Sequence, residues 1–291
     1  MTLSRRRFLT ITAAMLATPA SAARLRWQGR ALGADCTLEI HAPRDQAERA
    51  LRDVRALLRL AEARFSLYDP SSELSKLNAA GTLAAPSLEM TEILALCDRA
   101  HHATGGTFDP TVQTLWEALS TGTPVDSAAS LVGWTRVQRT PPRLDKGQKL
   151  TLNGVAQGFA TDMVAGALRA AGLSKVLVNI GEFSALGGPF HVGMSDPTHG
   201  LFGTATLENS AIAISSPAAT MLGTAPHILS ATGRIPQWNT VSVQAQNAAL
   251  ADAASTAFCL MGHAEIERAI PALDLTRATM LDSTGRVHHI G

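Results

Sequence analysis

The sequence predicts an α+β protein in which largely antiparallel sheets pack against helices. Three observations carry that reading. Short strand-like runs recur through the second half, at Lys175 to Ile180, Phe190 to Met194, Gly203 to Leu207, Ala211 to Ser215 and Thr240 to Gln246. Longer segments place apolar residues at three- and four-residue steps, as amphipathic helices do. The two kinds of segment follow no regular βαβ beat, which disfavours a doubly wound parallel sheet.

The N-terminus is read apart from the fold. Ser4-Arg5-Arg6-Arg7-Phe8-Leu9-Thr10 fits a twin-arginine address, and Ala20-Ser21-Ala22 offers a small-residue cleavage site. The apolar run between them, Ile11 to Ala17, is well below the roughly 20 residues that span a bilayer. Residues 1–22 are therefore expected to be a signal peptide, and residues 23–291 a single periplasmic domain able to associate with the cytoplasmic membrane. About 270 residues suffice for a substantial core. The 25 Lys and Arg nearly balance the 24 Asp and Glu, and several arginines lie in the leader, so a nucleic-acid surface is not expected. Cys36, Cys97 and Cys259 sit far apart among apolar neighbours. Buried thiols are expected, with one disulfide in an oxidising compartment as the alternative.

The elements follow in order. Gly29 to Ile40 reads as a strand. From Asp45 onward, Ala47, Leu51, Val54, Leu58, Ala61 and Phe65 stripe a charged helix. Pro86 to Ala103 is a second helix, with Met90, Ile93, Leu94, Cys97 and Ala100 inward, and Thr104-Gly105-Gly106 stops it. Ser120 to Gly147 is poorly patterned and reads as a surface excursion. Gly154 to Ala171 is helical, ending at Gly172, and Leu250 to Met261 is helical again. Ala278 to Asp282 and Arg286 to Ile290 flank a short hairpin turn.

Several of these segments carry chemistry. Asp252 and Thr256 stand four apart, so a carboxylate and a hydroxyl share one helix face and could meet a hard cation such as Mg²⁺. The same pair also fits an aspartate capping its own helix and a threonine bonded back to the main chain. Leu150-Thr151-Leu152-Asn153-Gly154-Val155-Ala156-Gln157-Gly158-Phe159 turns from strand to helix, and amides at such a helix start suit a phosphate. Thr104 to Val112 turns through two glycines and sets Phe108 and Asp109 at the entry to the next element, as an Asp-Pro turn alone also would. Tyr68 is the only tyrosine, and His227 lies beside a strand before a Thr-Gly turn.

These segments, with Leu32-Gly33-Ala34 and the stretch Phe65-Ser66-Leu67-Tyr68 to Asn78, occur in an order and at separations that together resemble the ApbE family of FAD:protein FMN transferases. The resemblance implies an ApbE-like, T-fold-like architecture and Mg²⁺-dependent transfer of FMN from FAD to a threonine hydroxyl of a target protein, with AMP leaving. It places the metal at Asp252, Thr256 and the main-chain carbonyl of Gly154, with Ser255 where some members have a further acid. It places FAD against Leu32, Tyr68, Thr107, Phe108, Asp109, Thr151, Gln157 and Leu229; the acceptor hydroxyl must then lose a proton, for which His227 or a nearby acid is the expected helper. The chain departs from the family pattern in having Thr151 for Asp, Gln157 for Lys and Ser230 for an acid, and in reading Asn179-Ile180-Gly181-Glu182-Phe183 against N-x-G-G-D. The implied partners are FAD and an exported or membrane-associated flavoprotein of electron transfer. Two other readings stay open: an FAD-binding or chaperone protein without transferase activity, and a pyrophosphatase cutting FAD to FMN and AMP. A solute-binding protein is more distant, because it would need a doubly wound pattern.

Overall fold

A computed structural model of the chain describes residues 24–230 and 232–291. The signal-peptide reading over residues 1–22 lies outside them, as does Ala231 of the histidine segment.

The expected strand over residues 29–40 is a hairpin, β1 (Arg24–Ala31) and β2 (Ala34–His41). Leu32 and Gly33 form its turn with φ of 49° and 75°, the positive pair that a tight hairpin turn needs. Helix α1 (Arg44–Phe65) buries Ala47, Val54, Leu58, Ala61 and Phe65 of the expected stripe, while Leu51 at its margin is half-buried. A helix absent from the sequence reading follows, α2 (Glu73–Ala80), started by the Ser72 hydroxyl accepting from Ser75 N–H. Helix α3 (Leu88–Ala103) has the expected inward set. The segment taken as a surface excursion is instead anchored. Helix α4 (Gln113–Thr121) ends at its start, and the segment itself carries α5 (Val125–Ser130) and the short pair β3 (Gln138–Arg139) and β4 (Pro142–Arg143) and sends Trp134 into the core at 1% exposure. The Trp134 N–H donates to Asp109 Oδ2 at 3.1 Å.

Helix α6 (Ala156–Ala170) leads into β5 (Val176–Ile180) and β6 (Phe183–Leu186), then the hairpin β7 (Phe190–Asp196) and β8 (Gly200–Leu207), then β9 (Ala211–Ser215). The two-residue strands β10 (Met221–Leu222) and β11 (Ala225–Pro226) precede β12 (Thr240–Ala245) and helix α7 (Ala248–Phe258). A second helix not anticipated, α8 (His263–Ala272), comes before β13 (Leu275–Leu281) and β14 (Val287–Ile290).

Eight strands form one sheet in the order β1-β2-β5-β6-β9-β12-β13-β14, and every neighbouring pair is antiparallel. Alternation along the strands assigns their residues to two faces. Val176, Val178, Ile180, Ala213, Val241 and Val243 join the main core under the helices. Leu177, Phe183, Ala185 and Ile212 point the other way and meet Phe190, Val192 and Leu207 of the β7–β8 hairpin. Cys36, Cys97 and Cys259 are all buried and free, so no disulfide joins them. Among the described residues, no helix is long and apolar enough to cross a membrane.

Helices α6 and α7 meet unusually closely. A Cβ on Gly158 would lie 2.4 Å from the Ala248 carbonyl oxygen, so only glycine permits the contact. Each helix also caps the other. Asp252 of α7 accepts the Gly158 N–H at 3.0 Å, and Asp162 of α6 accepts the N–H groups of Ala248 and Ala249, each at 2.9 Å.

Candidate active site

The α6 N-terminus, the β5–β6 turn, the end of β9 and the segment around Phe108 enclose a cleft of about 240 Å³. Thr107, Phe108, Asp109, Thr151 and Gly154 line one side of it. Gln157, His227, Leu229, Asp252 and Thr256 line the rest. Leu32 and Tyr68 border a smaller cavity of about 40 Å³ that shares Gln157 with the main cleft. Gln157 Nε2 donates to the Leu32 carbonyl at 3.2 Å, and its side chain lies where a Cβ on Gly181 would fall. Tyr68 is 76% exposed, available as a platform for a ring.

Asp252 does not cap its own helix; Asn247 does, accepting from Leu250 N–H. Nor does Thr256 bond back to its own main chain, since its hydroxyl lies 3.3 Å from Ser215 Oγ. Both residues border the cleft. A Cβ on Gly154 would sit 2.9 Å from Thr256 Oγ1 and 3.4 Å from the Phe108 ring. Glycine there brings the main chain against the Asp252–Thr256 face. Ser255 does not border the cleft: it is fully buried, its hydroxyl donates to the Asp252 carbonyl at 3.0 Å, and it lies 2.7 Å from Ser215 Oγ.

The remaining lining residues are held tightly. Asp109 Oδ1 accepts from the Thr111 N–H and hydroxyl, so it caps the turn after it and, through Trp134, ties the cleft wall to the following segment. Phe108 N–H donates to the Thr104 hydroxyl and its carbonyl is paired with His101 Nδ1. Thr151 N–H donates to the Pro110 carbonyl at 2.8 Å. His227 Nδ1 lies 3.0 Å and 3.2 Å from the carbonyls of Pro217 and Thr220, which can only accept, so Nδ1 carries a proton. One expectation changes: the first amides of α6 are not an open phosphate cradle. Ala156 N–H donates to the Leu152 carbonyl and Gly158 N–H to Asp252.

Glu182 is a functional candidate that the site reading passed over. It is 6% exposed, borders the cleft, and accepts the Ile214 N–H at 3.0 Å. The signal was an acid set between two apolar strands. Burial, and then the Asp252 charge, raise its carboxyl well above the ordinary value, against the opposing Ile214 bond. Burial likewise pushes Asp252 up to about 7, against the Gly158 bond and with help from Asp162. Asp162 is raised to about 6, again chiefly by burial, against its bonds from Ala249 and Ala248.

The donor set is hard oxygen throughout: carboxylate, hydroxyl and main-chain carbonyl. No group of three or more His, Cys, Asp or Glu converges among the described residues. One or two carboxylates completed by substrate phosphate is the usual provision for Mg²⁺, so the residues fit that ion.

The raised carboxyls dictate a pH dependence. Their stabilising contribution is fully present below the ordinary carboxylate value near 3.8 and is lost as pH rises through about 6 and 7. In differential scanning calorimetry the metal-free protein should therefore melt at lower temperature at pH 7.5 than at pH 4.5. A profile rising over that window would contradict the assignment.

A sequence profile of the ApbE family matches residues 32–279. The chain belongs to the ApbE family. A curated relative, the FAD:protein FMN transferase of Chlamydia muridarum, is 27% identical over 135 residues, which span 41% of this chain and 43% of that protein. The chain thus matches less than half the length of that relative. The flavin transferase ApbE of Vibrio cholerae superposes with a TM-score of 0.81 at 19% identity, covering 93% of this chain and 98% of that one. The ApbE protein of Thermotoga maritima gives 0.82 at 19% identity, over 92% and 97%. Apo flavinyl transferase ApbE of Pseudomonas stutzeri gives 0.80 at 19%, over 94% and 97%. At that identity the likeness is one of fold, and it agrees with the expected ApbE-like α+β architecture.

Proposed function

We propose that this protein transfers FMN from FAD to a threonine hydroxyl of another protein, releasing AMP, in a Mg²⁺-dependent reaction outside the cytoplasmic membrane. The observation that carries the reading is the convergence of Asp252, Thr256, Gly154 and His227 on one cleft. Asp252, Thr256 and the Gly154 carbonyl would hold Mg²⁺, which supplies charge neutralisation at phosphoryl oxygens. Phe108 and Leu229 offer apolar contact to FAD, and Gln157 joins the main cleft to the cavity of Leu32 and Tyr68, so an extended dinucleotide can lie across both. The acceptor oxygen forms a bond to the FMN phosphorus as the bond to AMP breaks. His227 borders the cleft with Nδ1 on the Pro217 and Thr220 carbonyls, and it is the group offered to take the threonine proton. The export reading makes the acceptor an exported or membrane-associated flavoprotein of electron transfer.

The test incubates the purified mature protein with FAD and Mg²⁺, with and without a threonine-bearing acceptor domain, and follows AMP and covalent FMN by mass. Covalent FMN with matching AMP is expected. Bound FAD with neither product would favour a flavin-binding protein, and AMP without acceptor a pyrophosphatase. His227→Ala should slow FMN transfer by roughly 10²–10⁴-fold while FAD binding, read from flavin fluorescence, persists. An unchanged rate would remove His227 from the reaction.

A further inference from the structure

The cleft has a charge problem. Asp109, Glu182 and Asp252 line it, and among the described residues no Lys or Arg does. Yet the proposed donor, FAD, brings a pyrophosphate that is itself anionic. Glu182 and Asp252 sharpen the difficulty, because both are more than nine-tenths buried, with exposures of 6% and 3%. Each has one oxygen satisfied by a main-chain N–H, from Ile214 and from Gly158. The second oxygen of each has no hydrogen-bond partner among the described residues. Two buried carboxylates on one cleft stay charged together only when something positive meets them. Gln157, at the start of α6, is neutral and its amide nitrogen is taken by Leu32, so it does not supply that charge.

We propose that Glu182 is a further ligand of the divalent cation, acting with Asp252 in the same cleft, and that this protein loads its cation before FAD and independently of it. Glu182 stands on the β5–β6 turn and Asp252 on α7, so a cation held by both joins two separate elements. Once loaded, the cation reverses the local charge and turns a cleft that repels a pyrophosphate into one that accepts it. The inference rests on the cation-assisted reading given above and adds a residue and an order of binding to it.

The test uses the mature chain freed of metal with a chelator, at pH 8, with Mn²⁺ as the probe and free Mn²⁺ read by electron paramagnetic resonance. The wild type should bind Mn²⁺ without FAD, and Glu182→Gln should weaken that binding by at least about tenfold. Glutamine can still accept the Ile214 N–H, so this variant should fold. Without metal it should melt higher than the wild type, because one of two repelling carboxylates is gone, and it should lose the rise in melting temperature that Mn²⁺ gives the wild type. A purely structural Glu182 would give the opposite shift. Should the glutamine variant not fold, Glu182→Asp keeps the charge on a shorter arm, and its Mn²⁺ affinity should fall as well. Wild-type Mn²⁺ affinity in whichever variant folds, or no Mn²⁺ binding by the wild type without FAD, overturns the proposal. Run beside the FMN-transfer assay, those results are separable from failure of the transferase reading, which shows as absent transfer in a wild type that binds Mn²⁺ normally.

Discussion

Asp252→Asn should lower FMN transfer by at least about 100-fold while leaving the protein folded. Asparagine keeps an oxygen that can accept the Gly158 N–H, so the cap on α6 survives. What disappears is the negative charge facing the cleft. The substitution also removes a carboxyl raised to about 7 by burial, so the metal-free variant should be more stable than the wild type at pH 7.5 and less sensitive to pH between 5 and 7.5. Asp252→Ala would lose the cap as well and confuse the two effects. Calorimetry with the FMN-transfer assay separates them: an asparagine variant that still transfers FMN at the wild-type rate would exclude Asp252 as the essential ligand.

The largest expected effect on stability comes from a single methyl group. Gly158→Ala places a Cβ 2.4 Å from the Ala248 carbonyl oxygen and 2.7 Å from Ala249 Cα. Those are main-chain atoms at the start of another helix, not the yielding tip of a side chain. Either α7 moves away, taking Asp252 out of reach of Gly158, or α6 bends. Destabilisation of about 3 kcal/mol or more is expected, a fall in melting temperature of roughly 6–12 °C, with FMN transfer lost alongside. Gly166→Ala, in the same helix, is the control. A Cβ there meets nothing within 4 Å, so the same change should stabilise by about 0.4–1 kcal/mol. Equal melting temperatures for the two variants would show that the α6–α7 contact is looser than described.

Much of this was legible in the sequence because the relevant signals are local. Stripes on α1 and α3, and alternation in β12, are set by neighbours within a few positions. Short elements were not legible. The turn at Leu32 and Gly33 places a leucine at positive φ, against its own preference, and so hides a hairpin inside an apparent strand. Helices α2 and α8 are eight and ten residues long, too short for a stripe to stand out. Trp134 is buried through a bond to Asp109, 25 positions away, which no local pattern reveals. The cleft is legible through the spacing of its motifs, and those residues line it except Ser255, which is buried away from it, and Leu32 and Tyr68, which border the smaller cavity beside it. Glu182 was noticed as a departure without a role, because its significance depends on Asp252, which lies on a distant helix.

The exchanged caps between α6 and α7 also bear on how the molecule moves. A helix that supplies its own cap can fray from its first turn alone. Here the first turn of each helix is held by a carboxylate rooted in the middle of the other, so unwinding either one releases the other's terminus too. The two behave as a single latch with two keepers, and one of those keepers, Asp252, faces the cleft. Whatever engages that carboxylate from the cleft side therefore bears on the fastening of both helices, and occupancy of the site is felt as stiffness across the middle of the protein.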